Sequence, residues 1–213
     1  MTTESMTIHQ ALVELKTLGS RINKAIGEGG FIVANKHSNG KINGIPVSEY
    51  CDDATSRYQK ITDLIKRREA IKRAVVMSNA ITTVVVAGKT YTVAEAIEMK
   101  NHGMASKSAL MAQINTDYLR AKMLADRANG DELERRAEEH VRNMFGSTDI
   151  KGATDEVKKV RDEFIKAQTM ELVDPLDVRK IIEELNEEIM NFTTNVDAAL
   201  SVSNALTTIY IEY

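Results

Sequence analysis

The sequence predicts a mainly α protein: long antiparallel helices in a helical bundle, with a small antiparallel β-sheet built from a central hairpin and the C-terminal strand. Three observations carry this expectation. Aromatic residues make up only 5% of the 213 residues, with no Trp and two Pro, a composition suited to long helices packed through aliphatic side chains. Apolar residues recur at three- and four-residue steps over long stretches. Two long helical stretches run into nearly the same short segment, Ser78-Asn79-Ala80-Ile81-Thr82-Thr83-Val84-Val85-Val86 and Ser203-Asn204-Ala205-Leu206-Thr207-Thr208-Ile209-Tyr210-Ile211.

The first helix starts at Thr7, with Gln10 three residues on in a capping-box pattern. Ile8, Leu12, Leu15, Leu18, Ile22 and Ile26 form its stripe, close to a heptad seam, and Gly27 is a natural stop. From 29 to 47 the period is lost and Gly and Asn accumulate, giving a loop or hairpin. Phe31, Val33, Ile42 and Ile45 fit a small hairpin around Ser38–Lys41, and an extended excursion fits equally well.

Ser48 caps a second helix reaching about Ser78, with Cys51, Ala54, Tyr58, Ile61, Leu64, Ile65, Ile71 and Val75 on its apolar stripe. A helix of this length needs a partner, because propensity alone leaves the stripe in water. Ile81–Val86, the turn Ala87-Gly88 and Lys89–Thr92 then read as a β-hairpin. Thr92 and Glu95 make another capping box, opening a short helix that ends near Gly103.

The middle third is helical, with breaks at Asn129-Gly130 and Gly146. Ser147–Ala153 is the best candidate for a mobile loop, and Val157, Val160 and Phe164 mark a further helix. Asp174-Pro175 signals the start of the last helix, whose stripe is Val178, Ile182, Leu185, Ile189, Phe192, Val196 and Ala199. Thr193, Thr194 and Asn195 interrupt its helical preference without breaking the stripe. The chain closes in an alternating strand, Thr207–Tyr213.

The two matching segments share five of nine positions at a separation of 125 residues, and each follows a stripe, Ile71, Ala74, Val75 in one case and Val196, Ala199, Leu200 in the other. A common helix-to-strand exit explains this better than a duplicated ligand site. An isolated two-stranded hairpin is marginal in water, so the C-terminal strand is expected to join Ile81–Val86 or Lys89–Thr92 in a three-stranded sheet. Asn79 and Asn204 would then lie at or just beyond the helix C-cap. The chain as a whole reads as a single domain, 1–213.

Chemistry is constrained mainly by exclusion. A net charge of −3 argues against nucleic acid as a partner, and one cysteine, Cys51, excludes an internal disulfide and suits a reducing compartment. Met1–Gln10 lacks the apolar core of a secretory signal, and Ala74–Gly88 is too short and too interrupted by polar residues to span a bilayer. A cytoplasmic protein without a membrane partner is expected. His9, His37, His102 and His140 lie on four segments without metal-ligand spacing, and Ala137 occupies the position that a Glu-x-x-His pair ending at His140 would need. No phosphate-binding glycine motif follows a strand. No metal or other cofactor is expected, and no nucleophile or acid/base pair stands out to suggest an enzyme.

The one concentrated basic segment is Lys66, Arg67, Arg68, Lys72 and Arg73. Most of it reads as a solvated face, but Arg68 falls near the apolar stripe, and a partly buried arginine usually has a carboxylate or phosphate partner. Arg68 and Lys72, together with Lys36, His37 and Lys41 from the Gly/Asn-rich excursion, are therefore the candidate site for a small anionic ligand.

Over Ser78-Asn79-Ala80-Ile81-Thr82-Thr83 and Gly88-Lys89-Thr90-Tyr91-Thr92-Val93, followed by a helix, the chain resembles the septicolysin-like family of bacterial proteins and proteins of phages and prophages from Gram-positive bacteria. The first helix and the long last helix fit the same plan, so the resemblance covers about half of the chain, with 104–173 reading as a helical insertion. It implies a helical hairpin with a small sheet, self-assembly into a homo-oligomer, and action inside a bacterial host cell. The expected function is non-catalytic binding and self-association; the alternatives are an oligomer that sequesters a nucleotide-like signal of host defence, and an enzyme with an unrecognised site.

Overall fold

In the computed structural model, which describes residues 3–146 and 155–213, the chain is mainly α with small antiparallel sheets, as the sequence predicts. The elements run β1 (Thr3–Thr7), α1 (Ile8–Glu28), β2 (Lys41–Ile42), β3 (Ile45–Pro46), α2 (Val47–Ile81), β4 (Thr83–Val86), β5 (Lys89–Thr92) and α3 (Val93–Glu98). A single π-helical turn, Met99–Gly103, leads to α4 (Met104–Asn129), followed by α5 (Asp131–Phe145), α6 (Asp155–Gln168), α7 (Val178–Leu206) and β6 (Thr208–Glu212). The segment Ser147–Ala153, expected to be a mobile loop, lies outside the described residues.

The chain divides into two compact units. One holds the residues up to His102 together with Asn191–Tyr213, and the other holds Gly103–Met190.

In the first unit α1 and α2 form an antiparallel hairpin. Leu18, Ile22, Ile71 and Val75 are buried in a core that also takes Met6, Ile8, Ala11, Ile209 and Ile211. Burying such aliphatic side chains is worth about 1.5–3 kcal/mol each, which is what holds the polar helix α2 in place. Cys51 was expected in the core but is exposed. The physical reason is length: α2 has 35 residues and α1 has 21, so the first turns of α2 have no helix across from them.

The expected three-stranded sheet is corrected. β6 does not join the central hairpin; it pairs antiparallel with β1, in the register Thr7↔Thr208 through Thr3↔Glu212. β4 pairs only with β5, from Thr83↔Thr92 to Val86↔Lys89. The overlooked strand, Thr3–Thr7, is polar and shows one buried apolar residue, Met6, so its alternation is nearly silent. The early hairpin also turns elsewhere than expected. Ile42 pairs with Ile45 around Asn43-Gly44, both at positive φ (49° and 89°), the preferred sequence for a two-residue turn of that hand. Asn79 and Asn204 lie inside the last helical turns instead of at the caps, because the exit is closed by the first threonine of each motif.

That closure makes the two exits the same structural joint. Thr82 donates its N–H to the Ser78 carbonyl and Thr207 donates to Ser203, each at 2.9 Å. The Thr82 carbonyl then accepts from Val93 N–H at 2.8 Å, and the Thr207 carbonyl accepts from Ile8 N–H at 2.9 Å. Val93 and Ile8 are each the first residue of a helix that follows a strand. Thr92 and Thr7 cap those helices, with complete capping boxes through Glu95 and Gln10. Val93 and Ile8 are both 2% exposed, and Ala96 and Ala11 are fully buried. The strand leaving α2 thus completes the sheet that starts α3, and the strand leaving α7 completes the sheet that starts α1.

Among the described residues the second unit has helices and no strand. α5 and α6 pack through Leu133, Ala137 and Val141, with His140 stacked on Phe164 at 4.5 Å between ring centroids. The Asn129 side chain donates to the Met170 carbonyl and accepts from Met170 N–H, both at 2.8 Å. Asp174 accepts from Val178 N–H at 3.0 Å, but α7 starts at Val178, three residues after the Pro175 that the Asp-Pro signal puts at its first position.

Candidate functional site

Both joints open onto one apolar groove in the first unit. Its volume is about 740 Å³, and its walls are β4 with the Ala87-Gly88 turn on one side and the end of α7 on the other. Thr82 and Thr83 come from the first joint, and Ser203, Leu206 and Thr207 from the second. The floor is made of small residues, Ala198, Ala199 and Ser203, which leave room for an incoming side chain or backbone. Val85, Val202 and Leu206 line it while 63%, 59% and 77% exposed. The lining takes residues of β4 and none of β5, and among the described residues no strand pairs with the other edge of β4. Unpaired backbone N–H and C=O groups of such an edge are a template for another strand.

The sheets at the two joints are anchored differently. Under β1 and β6, the Arg67 side chain is 20% exposed and gathers three partners. It donates to Glu4 at 2.9 Å and also to Glu14 and to the hydroxyl of Tyr213, with its guanidinium 4.7 Å from the Tyr213 ring centroid. The Arg67 bond holds the Glu4 carboxyl below its ordinary value, and the bonds from Glu14 and Glu4 raise Arg67 further above its own. Under β5, the anchor is Phe192, 2% exposed and edge-on to Tyr91 at 5.7 Å. Lys100 and Asp197 pair beside it.

The basic residues singled out from the sequence are not brought together. Lys36, His37 and Lys41 are exposed on the excursion after α1, whose Gly40 carbonyl accepts from Val47 N–H at the start of α2. Arg68 and Lys72 are exposed about six turns along α2, roughly 30 Å away at 1.5 Å per residue. The partly buried arginine is Arg67, not Arg68. Both flank the stripe Leu64, Ile71, Val75, and nothing local chooses between them; Glu4 and Glu14 make the choice. The sequence signal that went unread is the second half of the joint, Thr7-Ile8-His9-Gln10-Ala11-Leu12 against Thr92-Val93-Ala94-Glu95-Ala96-Ile97.

Among the described residues, no group of three His, Cys, Asp or Glu side chains could hold a metal ion, and no helix is long and apolar enough to cross a membrane. Comparison with protein-family models, with curated proteins and with solved structures gave no match.

Proposed function

We propose that the protein acts by binding and self-association, not by catalysis, and that a second copy of the chain occupies the groove between the two joints. The observation that carries this reading is the exposure of Val85, Val202 and Leu206 beside the open edge of β4. Single exposed apolar residues are common, but three around one small-residue floor with an unpaired strand edge form a surface that pairs with its like. A closed two-fold contact between like surfaces is the commonest solution for such a patch. The resemblance to phage and prophage proteins, and the single cysteine, support a reading in which it acts in the reducing cytoplasm of a bacterial host.

Light scattering coupled to size exclusion tests the proposal. The wild-type chain is expected at twice the mass of one chain or more, and Val202→Glu with Leu206→Glu at the mass of one chain with unchanged helical content. A wild-type protein that elutes as a single chain at high micromolar concentration contradicts the proposal, as does a double variant that keeps its assembly.

A further inference from the structure

The cleft between α1 and α2 is lined mainly by cations. It has a volume of about 390 Å³ and is lined by Arg21, Lys24 and Glu28 from α1 and by Lys60 from α2, with Ala25 and Leu64 at its base. Three cations face one carboxylate. Among the described residues, none of Arg21, Lys24 or Lys60 forms an ion pair, although other lysines and arginines of the chain do.

A fourth cation lies outside the lining of the cleft, one helical turn from Lys60. Arg57 is one turn before Lys60 on α2, and its guanidinium lies against Gly30, where a Cβ would be 3.0 Å from Nη1. Gly30 is at φ +78°, a conformation that favours glycine. The Arg57 Nε is buried and has no hydrogen-bond partner. A buried donor left unsatisfied is costly, and a turn of the side chain toward the cleft would exchange that cost for a charge-assisted bond.

We infer that this cleft binds a small ligand carrying two or more phosphate groups. Lysines supply point charges from both walls, and the arginines supply planar forks that match phosphate oxygens. The chain's net charge of −3 works against a long polyanion, while a compact ligand meets only the local excess of positive charge. Ligand binding at the cleft and self-association through the groove are independent, since one is read as bound ligand and the other as mass.

Isothermal titration of the full chain with inorganic pyrophosphate is the test, with sulfate and a short single-stranded oligonucleotide at matched ionic strength as comparisons. Saturable pyrophosphate binding is expected, weakened about tenfold or more by Lys24→Ala with Lys60→Ala and several-fold by Arg57→Gln, with helical content unchanged. The absence of saturable binding overturns the inference. So does an affinity that the Lys24→Ala, Lys60→Ala protein retains, or tighter binding of the oligonucleotide than of pyrophosphate.

Discussion

The two joints share one backbone plan and differ in what holds them down. Arg67 and Phe192 each stand eleven residues before the serine of their motif, so they occupy matching places on α2 and α7. One gathers Glu4, Glu14 and Tyr213 under β1–β6, and the other packs edge-on against Tyr91 under β4–β5. The joint itself is made of short-range parts: a threonine N–H closing the helix, its carbonyl receiving the next helix, and a capped threonine across the sheet. Whatever lies beneath has only to fill the space and satisfy its own polar groups. An aliphatic-aromatic anchor and an ionic one serve the same frame, but they fail under different conditions.

Substitution at the two anchors should separate them. Phe192→Ala removes a fully buried ring and is expected to cost about 4 kcal/mol, measured by urea unfolding. Arg67→Met keeps the packing stem and loses the ion cluster, at roughly 2 kcal/mol. Equal losses, or a larger one at Arg67, would break the distinction drawn between the anchors.

Acid should then divide the joints. The Glu4 carboxyl is held below its ordinary value by Arg67, so its contribution is present above the ordinary carboxylate range and is lost as the pH falls through the lowered value. The sign is the same for Glu95, whose carboxyl is lowered by the Thr92 backbone N–H and then by the Thr92 hydroxyl. Its counterpart, Gln10, does not titrate. Below about pH 4.5, hydrogen exchange should therefore quicken in β1–β6 through Glu4 and at the start of α3 through Glu95, while the cap of α1 holds. Glu4→Gln should flatten the first response and leave the second.

The smallest effects belong to the caps. Thr7→Ala and Thr92→Ala should each cost about 1 kcal/mol, and similarly, because the two capping boxes are the same device. A difference larger than the error of thermal unfolding would show that one joint leans on its cap more than the other.

Much of the frame was legible in the sequence. The stripes of α1, α2 and α7, both capping boxes and the Ala87-Gly88 turn are local signals, each with its own mechanism. The pairing of β6 was not, because β1 hides in five mostly polar residues and its partner is about two hundred residues away. With no strand expected before Thr7, Glu4 stayed concealed, and without Glu4 nothing favoured Arg67 over Arg68. Both anchors depend on contacts between elements far apart in the chain, which no local pattern encodes. The proposed groove inherits the same limit: its residues are spaced by more than a hundred positions, although the repeated Ser-Asn-Ala motif marks both of its ends.

The equivalence of the joints has one direct test. β1 and β6 are antiparallel neighbours, as are β4 and β5, but only the second pair is joined by a two-residue turn. A circular permutant that links Tyr213 to Met1 through a short glycine linker and opens the chain between Ala87 and Gly88 exchanges these roles. Its thermal unfolding should match the parent within a few degrees, with the same helical signal, if the two joints are one device used twice. A permutant that fails to fold, or melts far below the parent, would show that the covalent turn holds the β4–β5 joint in a way β1–β6 does not reproduce.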